Sequence, residues 1–279
     1  MLHLANGDSA AAALARAGLP GELATWADCL DQGPLQGAPG TRKFRALRAQ
    51  FLGGAGVSDA REVEAQLERW DAPLLLRPDE VVCWFEADLT CQLALVHHLA
   101  LRPCSLVMTA KPIPQHAPEE LAALLPVRQQ PTAAIIGLAR AAWAAVSGPD
   151  PQAILSLLPE AFDPLPFLPR ALLRLLEELP EPGSGLSRSE RQMLEEGGSF
   201  AKAQAREEVP FLTDSFFALA WSGLEDAGLV ADGKVTADGR ASLARTLDYR
   251  ARAQDRWVGG ALLQGPRCFR WDRTRVLAP

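Results

Sequence analysis

Glu80-Val81-Val82-Cys83-Trp84-Phe85 is a run of strand length whose apolar residues do not alternate with polar ones, and it leads directly into a helical pattern from Asp88 to Leu101. A strand with no polar face has to be covered on both sides, so the chain must place helices above and below its sheet. The same strand-then-helix order recurs. Leu2-His3-Leu4-Ala5 runs through the turn cluster Asn6-Gly7-Asp8-Ser9 into an Ala/Leu-rich helix ending at Ala17 before Gly18, and Cys104 to Thr109 repeats the strand pattern. A further strand, Glu22 to Trp26, precedes a Gly/Pro loop, a basic helix Arg42 to Phe51 and a helix Asp59 to Trp70. Four short strands alternating with helices predict an α/β domain over residues 1–148, a small parallel sheet with crossover helices.

The pattern then changes. Thr132 to Val146 is helical, and eight prolines between Pro149 and Pro182 punctuate short helices such as Leu168 to Leu179, which predicts a helical connector over 149–183. Ser187-Arg188-Ser189-Glu190 is a capping box opening a helix to Glu196, followed by helices near Ala201 to Glu208 and Asp214 to Ala227. An Asp-Gly hairpin spans Gly228 to Val235. Three helices and a hairpin are the order of a winged helix, so 184–279 is expected to form a winged-helix-like module. Beyond it a helix near Ala237 to Leu247 is expected, then two strands, Trp257 to Leu263 and Arg267 to Trp271, paired across Gly265-Pro266.

With 279 residues, 48% of them hydrophobic and 22% charged, the chain can bury a core without staples. Its net charge of −6 argues against a protein that coats nucleic acid or anionic membrane. The charge is uneven, however: Gly239 to Pro279 carries nine Arg against three Asp, a net +6 that leaves −12 for the rest. That tail is a candidate for weak nucleic-acid or protein contact. Five widely spaced cysteines with no C-x-x-C pair fit thiols in a reducing compartment, and the start of the chain has no export signal. A cytoplasmic protein without a membrane span is expected.

Ligands of open parallel sheets bind beyond the carboxyl ends of the strands, where loops meet helix N-termini. Here those ends deliver Asn6, Asp8 and Ser9, then Asp28 and Asp31, then Glu86 and Asp88, and finally Thr109 and Lys111. Asp8, Ser9 and Asp88 also stand where N-caps are wanted, and capping alone would account for each. Capping does not account for Asp28, Glu86 and Lys111. Crowded carboxylates raise one another's pKa, which suits acid–base chemistry, so Asp8, Ser9, Asp28, Glu86 and Asp88 are the candidate reactive set. Gly7-Asp8-Ser9 also resembles the nucleophile block of the Gly-Asp-Ser hydrolases. Ser9 would then need a histidine base, and only His3 is close to it in sequence.

Other motifs read as structure. His97 and His98 are adjacent on one helix and cannot chelate one ion together, so one is expected in the core and one in solvent, and no metal is assigned. Gly53-Gly54-Ala55-Gly56 follows no strand and lacks the context of a phosphate loop. The helix Asp214 to Ala227 holds no Lys or Arg, so it would be repelled by a duplex, and packing or protein contact is the expected use of the module.

The chain resembles the bacterial family numbered eighteen thirty-five among the domains of unknown function. The resemblance is carried by Leu2 through Ser9, Gly18 through Gly21, Trp26, Asp28, Leu30, Gly33-Pro34, Trp84-Phe85-Glu86, Asp88-Leu89 and Gln92-Leu93. It extends through Gly185 to Gln192, Ala203 to Glu208, Asp255-Arg256-Trp257, Gly259-Gly260 and Arg270-Trp271-Asp272. Ala27, Asp31-Gln32 and Ala87 stand where relatives tend to carry Arg, a His-Glu pair and His, so a mechanism needing those groups would not transfer. The resemblance implies a bacterial cytoplasmic protein with its site at the strand ends and names no cofactor. With it, His3, Asn6, Gly7, Trp26, Gly33, Gln92 and Lys111 become candidate ligand contacts. The expected function is binding of a small polar ligand, a nucleotide or phosphorylated metabolite, with hydrolase or transferase chemistry compatible. The alternatives are a ligand-sensing regulator or adaptor that contacts nucleic acid or protein through its C-terminal module, and an interaction protein with no small-molecule site.

Overall fold

In the computed structural model, which describes every residue except Val57, Arg77 and Ala161, four parallel strands form one sheet. They are β1 (Leu2–Asn6), β2 (Glu22–Trp26), β3 (Val81–Glu86) and β4 (Ser105–Thr109), in the order β2-β1-β3-β4. Leu4 of β1 lies opposite Ala24 of β2 and Cys83 of β3, and Cys83 lies opposite Leu106 of β4. The α/β class follows directly. In β3 every residue but Glu86 is buried, and the residues divide by parity as a strand covered on two faces requires. Val82 and Trp84 join Ala10, Ala13 and Leu14 of α1 (Asp8–Arg16) and Leu121 of α5 (Pro118–Leu124) on one face. Val81, Cys83 and Phe85 enter a larger core on the other.

That larger core is built on α4 (Leu89–Leu101), which lies against α6 (Ala133–Ser147) and α8 (Leu168–Leu176). Ten of its thirteen residues are buried. This corrects the expectation for the two histidines: His97 and His98 are 1% and 0% exposed, because α6 and α8 cover the side of α4 turned away from the sheet. His97 packs on Trp26, Phe44 and Trp143, and His98 lies parallel to Phe85. Burial holds both imidazoles neutral, that of His98 down to about 3.

The connector is not a solvent tether. Between α7 (Gln152–Leu157) and residue 179 the leucines at 168, 172, 175, 176 and 179 present one helical face, and all five are fully buried in the core that also holds Leu4 and Phe85. The prolines limit helix length here without preventing packing. The β2-to-β3 crossover carries α2 (Arg42–Gly54), capped by Thr41, and α3 (Ala60–Leu75), capped by Asp59.

Residues 184–249 have a separate core of Leu186, Met193, Phe217, Leu224, Leu229 and Tyr249. Their elements are α9 (Arg188–Glu195), the one-turn α10 (Phe200–Gln204), α11 (Asp214–Asp226), a hairpin of β5 (Val230–Ala231) and β6 (Lys234–Val235), and α12 (Ala237–Leu243). Ser187 caps α9 reciprocally with Glu190, as its sequence requires. The helix and hairpin order is the expected one, but order alone does not make a winged helix.

The last strands pair differently from expectation. β7 (Arg256–Val258) pairs with β8 (Ala261–Leu263), and β9 (Arg270–Trp271) pairs with β10 (Val276–Leu277). Gly259-Gly260 makes the first turn: Gly259 has φ +55°, and a Cβ at Gly260 would lie 2.1 Å from the Ser147 carbonyl oxygen. Only glycine lets this turn press against the end of α6, which locks β7 to its immediate neighbour. Val258, Leu263 and Trp271 return to the large core, so the end of the chain closes on the α/β half.

Among the described residues, no helix is long and apolar enough to cross a membrane.

Candidate functional site

The strand order reverses at β1, with β2 on one side of it and β3 on the other, and the carboxyl ends of β1 and β3 are therefore neighbours at a switch point where ligands of such sheets bind. Four side chains meet there. Donor atoms of Glu86, Asp88 and Cys91 lie within 4.8 Å of one another, and the Asn6 amide donates to the Cys91 sulfur at 3.1 Å. Each position has a local cause. Asn6 and Glu86 end their strands, Asp88 caps α4 by accepting the Cys91 N–H at 2.9 Å, and the first turn of α4 brings the Cys91 side chain back toward its cap. Gln92 donates to the Glu86 carbonyl at 2.7 Å, and a Glu86 oxygen accepts the Ile113 N–H at 2.9 Å.

Burial pushes the Glu86 and Asp88 carboxyls above their ordinary values and the Cys91 thiol well above its own, with the Asp88 charge adding to the last. Two carboxyls that burial makes harder to ionise therefore face a neutral thiol. Divalent-cation binding by this trio would first require the thiol proton to leave against both burial and two neighbouring carboxylates.

The other candidates separate. Asp8 and Ser9 are exposed at the start of α1, whose cap Gly7 has φ +88° and offers no side-chain acceptor. His3 has both ring nitrogens engaged, one with the Pro20 carbonyl at 3.1 Å and one with the Trp84 indole N–H at 3.0 Å. It is no base for Ser9, and the Gly-Asp-Ser resemblance loses its activating group. Asp28 does not join the cluster either, being locked in a fully buried ion pair with Arg48. Trp26 is a core residue donating to Asp71, and Lys111 is half-exposed and paired with Glu120. Gly33 acts sterically: at φ +77°, a Cβ there would sit 2.2 Å from the Phe51 ring.

Cys91 was not anticipated, although its position three residues after a capping Asp is a readable signal. Asp31, read only as a strand-end group, proves to be a buried carboxyl with Gln32 donating at 2.9 Å and the Thr90 hydroxyl at 3.5 Å, and with no cation paired to it among the described residues. Burial pushes it up to about 6. The folded chain therefore binds this proton more tightly than the unfolded chain, whose carboxyl keeps its ordinary 3.8, and stability is lost as pH rises from about 4 through about 6. The loss by neutral pH is ~3 kcal/mol. Asp31→Asn cannot titrate, so its urea midpoint should exceed that of the parent at pH 8 and match it near pH 4. Equal midpoints at pH 8 would contradict the burial argument.

The basic tail is largely spent within the molecule. Arg245, Arg252, Arg256, Arg270, Arg273 and Arg275 each lie within 4.0 Å of a carboxylate, and Arg250 is fully buried. Glu181 alone meets Arg191, Arg245 and Arg273. Arg245, Arg252, Arg256 and Arg273 pair with carboxylates outside the tail, whereas Arg270 and Arg275 pair with Asp248 and Asp272 within it.

Comparison with known proteins finds no matching family model, no matching curated protein and no matching solved structure.

Proposed function

We propose that the α/β half binds a small polar ligand, a nucleotide or phosphorylated metabolite, at the carboxyl ends of β1 and β3. The convergence of Glu86, Asp88, Cys91 and Asn6 at the switch point carries this reading. Gly7 supports it, because an N-cap without a side chain leaves the first amides of α1 available to a phosphate, and nothing lies within 4 Å of the place a Cβ would take. Glu86 is the acid–base candidate, since it is only partly buried and its raised pKa brings its proton closer to neutrality. A cytoplasmic setting and membership of the family resembled belong to the same proposal. The regulator reading draws less support, because six of the tail's nine arginines already face carboxylates that a phosphate would have to displace.

Ribose 5-phosphate is the probe that separates this site from any that recognises a ring system. Titration calorimetry should detect binding to the full chain, weakened about tenfold or more by Gly7→Val, which obstructs the amides. Glu86→Gln should alter the pH dependence of binding. Unchanged affinity in both variants, or no binding, would remove the strand ends as the site.

A further inference from the structure

The chain forms a cavity of about 410 Å³, open to solvent on one side, between the loop after β2, the second half of α2, and residues 178–257 of the C-terminal half. Its volume is that of a small-molecule site. The strand-end cluster does not line it, and it is independent of that reading.

Two of its walls are aromatic. The Phe51 and Phe216 rings lie within 7° of parallel, their centres 6.5 Å apart, and Trp257 contributes a third ring. Phe51 can take this position because Gly33 has no side chain to block it. The polar side of the cavity is acceptor-rich. Glu190 accepts the Tyr249 hydroxyl at 2.6 Å and the Ser187 N–H at 2.7 Å, and Glu178 accepts from Ser189 and Arg174 at 2.6 Å each. Each carboxylate retains further lone pairs beyond those bonds. The Arg256 guanidinium stands between them, 3.7 Å from Glu190 and 3.9 Å from Glu178, and its Nε has no hydrogen-bond acceptor among the described residues.

We infer that this cavity binds a planar nitrogen heterocycle of nucleobase size, one whose edge presents an N–H donor next to a ring-nitrogen acceptor. The donor matches Glu190 or Glu178 and the acceptor matches Arg256, while Phe51, Phe216 and Trp257 cover the ring faces. An anionic ring fits badly, because the lining holds Glu178, Glu190 and Asp255 against Arg256 and a sealed Arg250 that points to the carbonyls of Gln254 and Leu263. Since both halves of the chain line the cavity, an occupant would tie them together.

The test uses the full chain with adenine as the probe and benzoate as the anionic control, read by thermal shift and calorimetry. Adenine should raise the melting temperature and benzoate should not. Leu219 lines the cavity from α11 and is 42% exposed, so Leu219→Trp can fill the space without breaking a core. That variant should keep its far-UV spectrum and unliganded melting temperature, and should bind adenine about tenfold more weakly or worse. Ala253→Trp, from another wall, is a second filling variant should the first unfold. Glu86→Gln should leave adenine binding unchanged. Benzoate binding as well as adenine, no adenine binding, or adenine binding lost in Glu86→Gln but retained in both filled variants would each overturn the inference, the last moving the ring to the strand ends.

Discussion

Arg48→Met should lower the unfolding free energy by ~3–5 kcal/mol, the usual cost of leaving one partner of a buried ion pair uncompensated. Both side chains of the Asp28–Arg48 pair are completely buried. The guanidinium grips Asp28 at 2.5 and 2.8 Å and also donates to the carbonyls of Gln32 at 2.5 Å and Cys29 at 3.0 Å. One side chain of α2 thus shapes the whole loop that follows β2, including Gly33 and, through it, the Phe51 wall of the cavity. Methionine fills similar space but leaves the Asp28 carboxylate and the Gln32 carbonyl without a donor, while the Cys29 carbonyl keeps the Gln32 N–H. Urea unfolding measures the loss. The double variant Asp28→Leu, Arg48→Met should recover part of it, because the charge left behind is then gone. A single-variant loss below about 1 kcal/mol would mean that water reaches Asp28 and that the pair is no anchor.

The fragment of residues 1–148 should fail to unfold cooperatively, although the strand and helix pattern suggests a domain able to fold alone. Leu165, Leu168, Leu172, Leu175, Leu176 and Leu179 are fully buried against α4 and its neighbours, and Val258, Leu263 and Trp271 complete the same core. Removing them uncovers the outer side of a helix that is buried nearly all round. Each large apolar side chain buried contributes about 1.5–3 kcal/mol, so six leucines alone approach or exceed the ~5–15 kcal/mol that keeps a domain folded. Dye binding to exposed apolar surface and loss of the near-UV spectrum, with helix retained, are the expected signs. A sharp thermal transition with native near-UV signal in the fragment would show that the α/β half is self-sufficient.

Much of the fold was legible because it is encoded locally. The apolar run at Val81 to Phe85, the Asn-Gly-Asp turn after β1 and the capping box at Ser187 each act within a few residues, through burial on two faces, positive φ at glycine, and satisfied helix amides. Asn6, Glu86 and Asp88 were legible for the same reason, since strand ends and N-caps are local positions. Asp28 was legible as a strand-end carboxylate but not as a structural one. Its partner lies 20 residues away, and nothing in the intervening Gly/Pro loop shows that Arg48 will be turned inward. His3 is likewise occupied by residues distant in sequence, with Trp84 and Pro20 on its two nitrogens.

By itself the sequence determined the four strands of the sheet and the helices that follow them, and that the sheet is parallel with both faces covered, though not the pairing of the strands at the end of the chain. The periodicity of burial and the chemistry of turns and caps need no distant partner to operate. Only the tertiary structure decided which polar groups are free. Asp28, His3, Arg245 and Arg273 are occupied by residues 17 to 92 positions away, whereas Glu86, Asp88 and Cys91 are brought together by the adjacent ends of β1 and β3 and by one turn of α4. The cavity between the halves is likewise a tertiary product. Its walls come from a loop, a helix end and a C-terminal segment more than two hundred residues apart at their extremes, and no local pattern specifies that surfaces so distant in the chain will face one another across a gap.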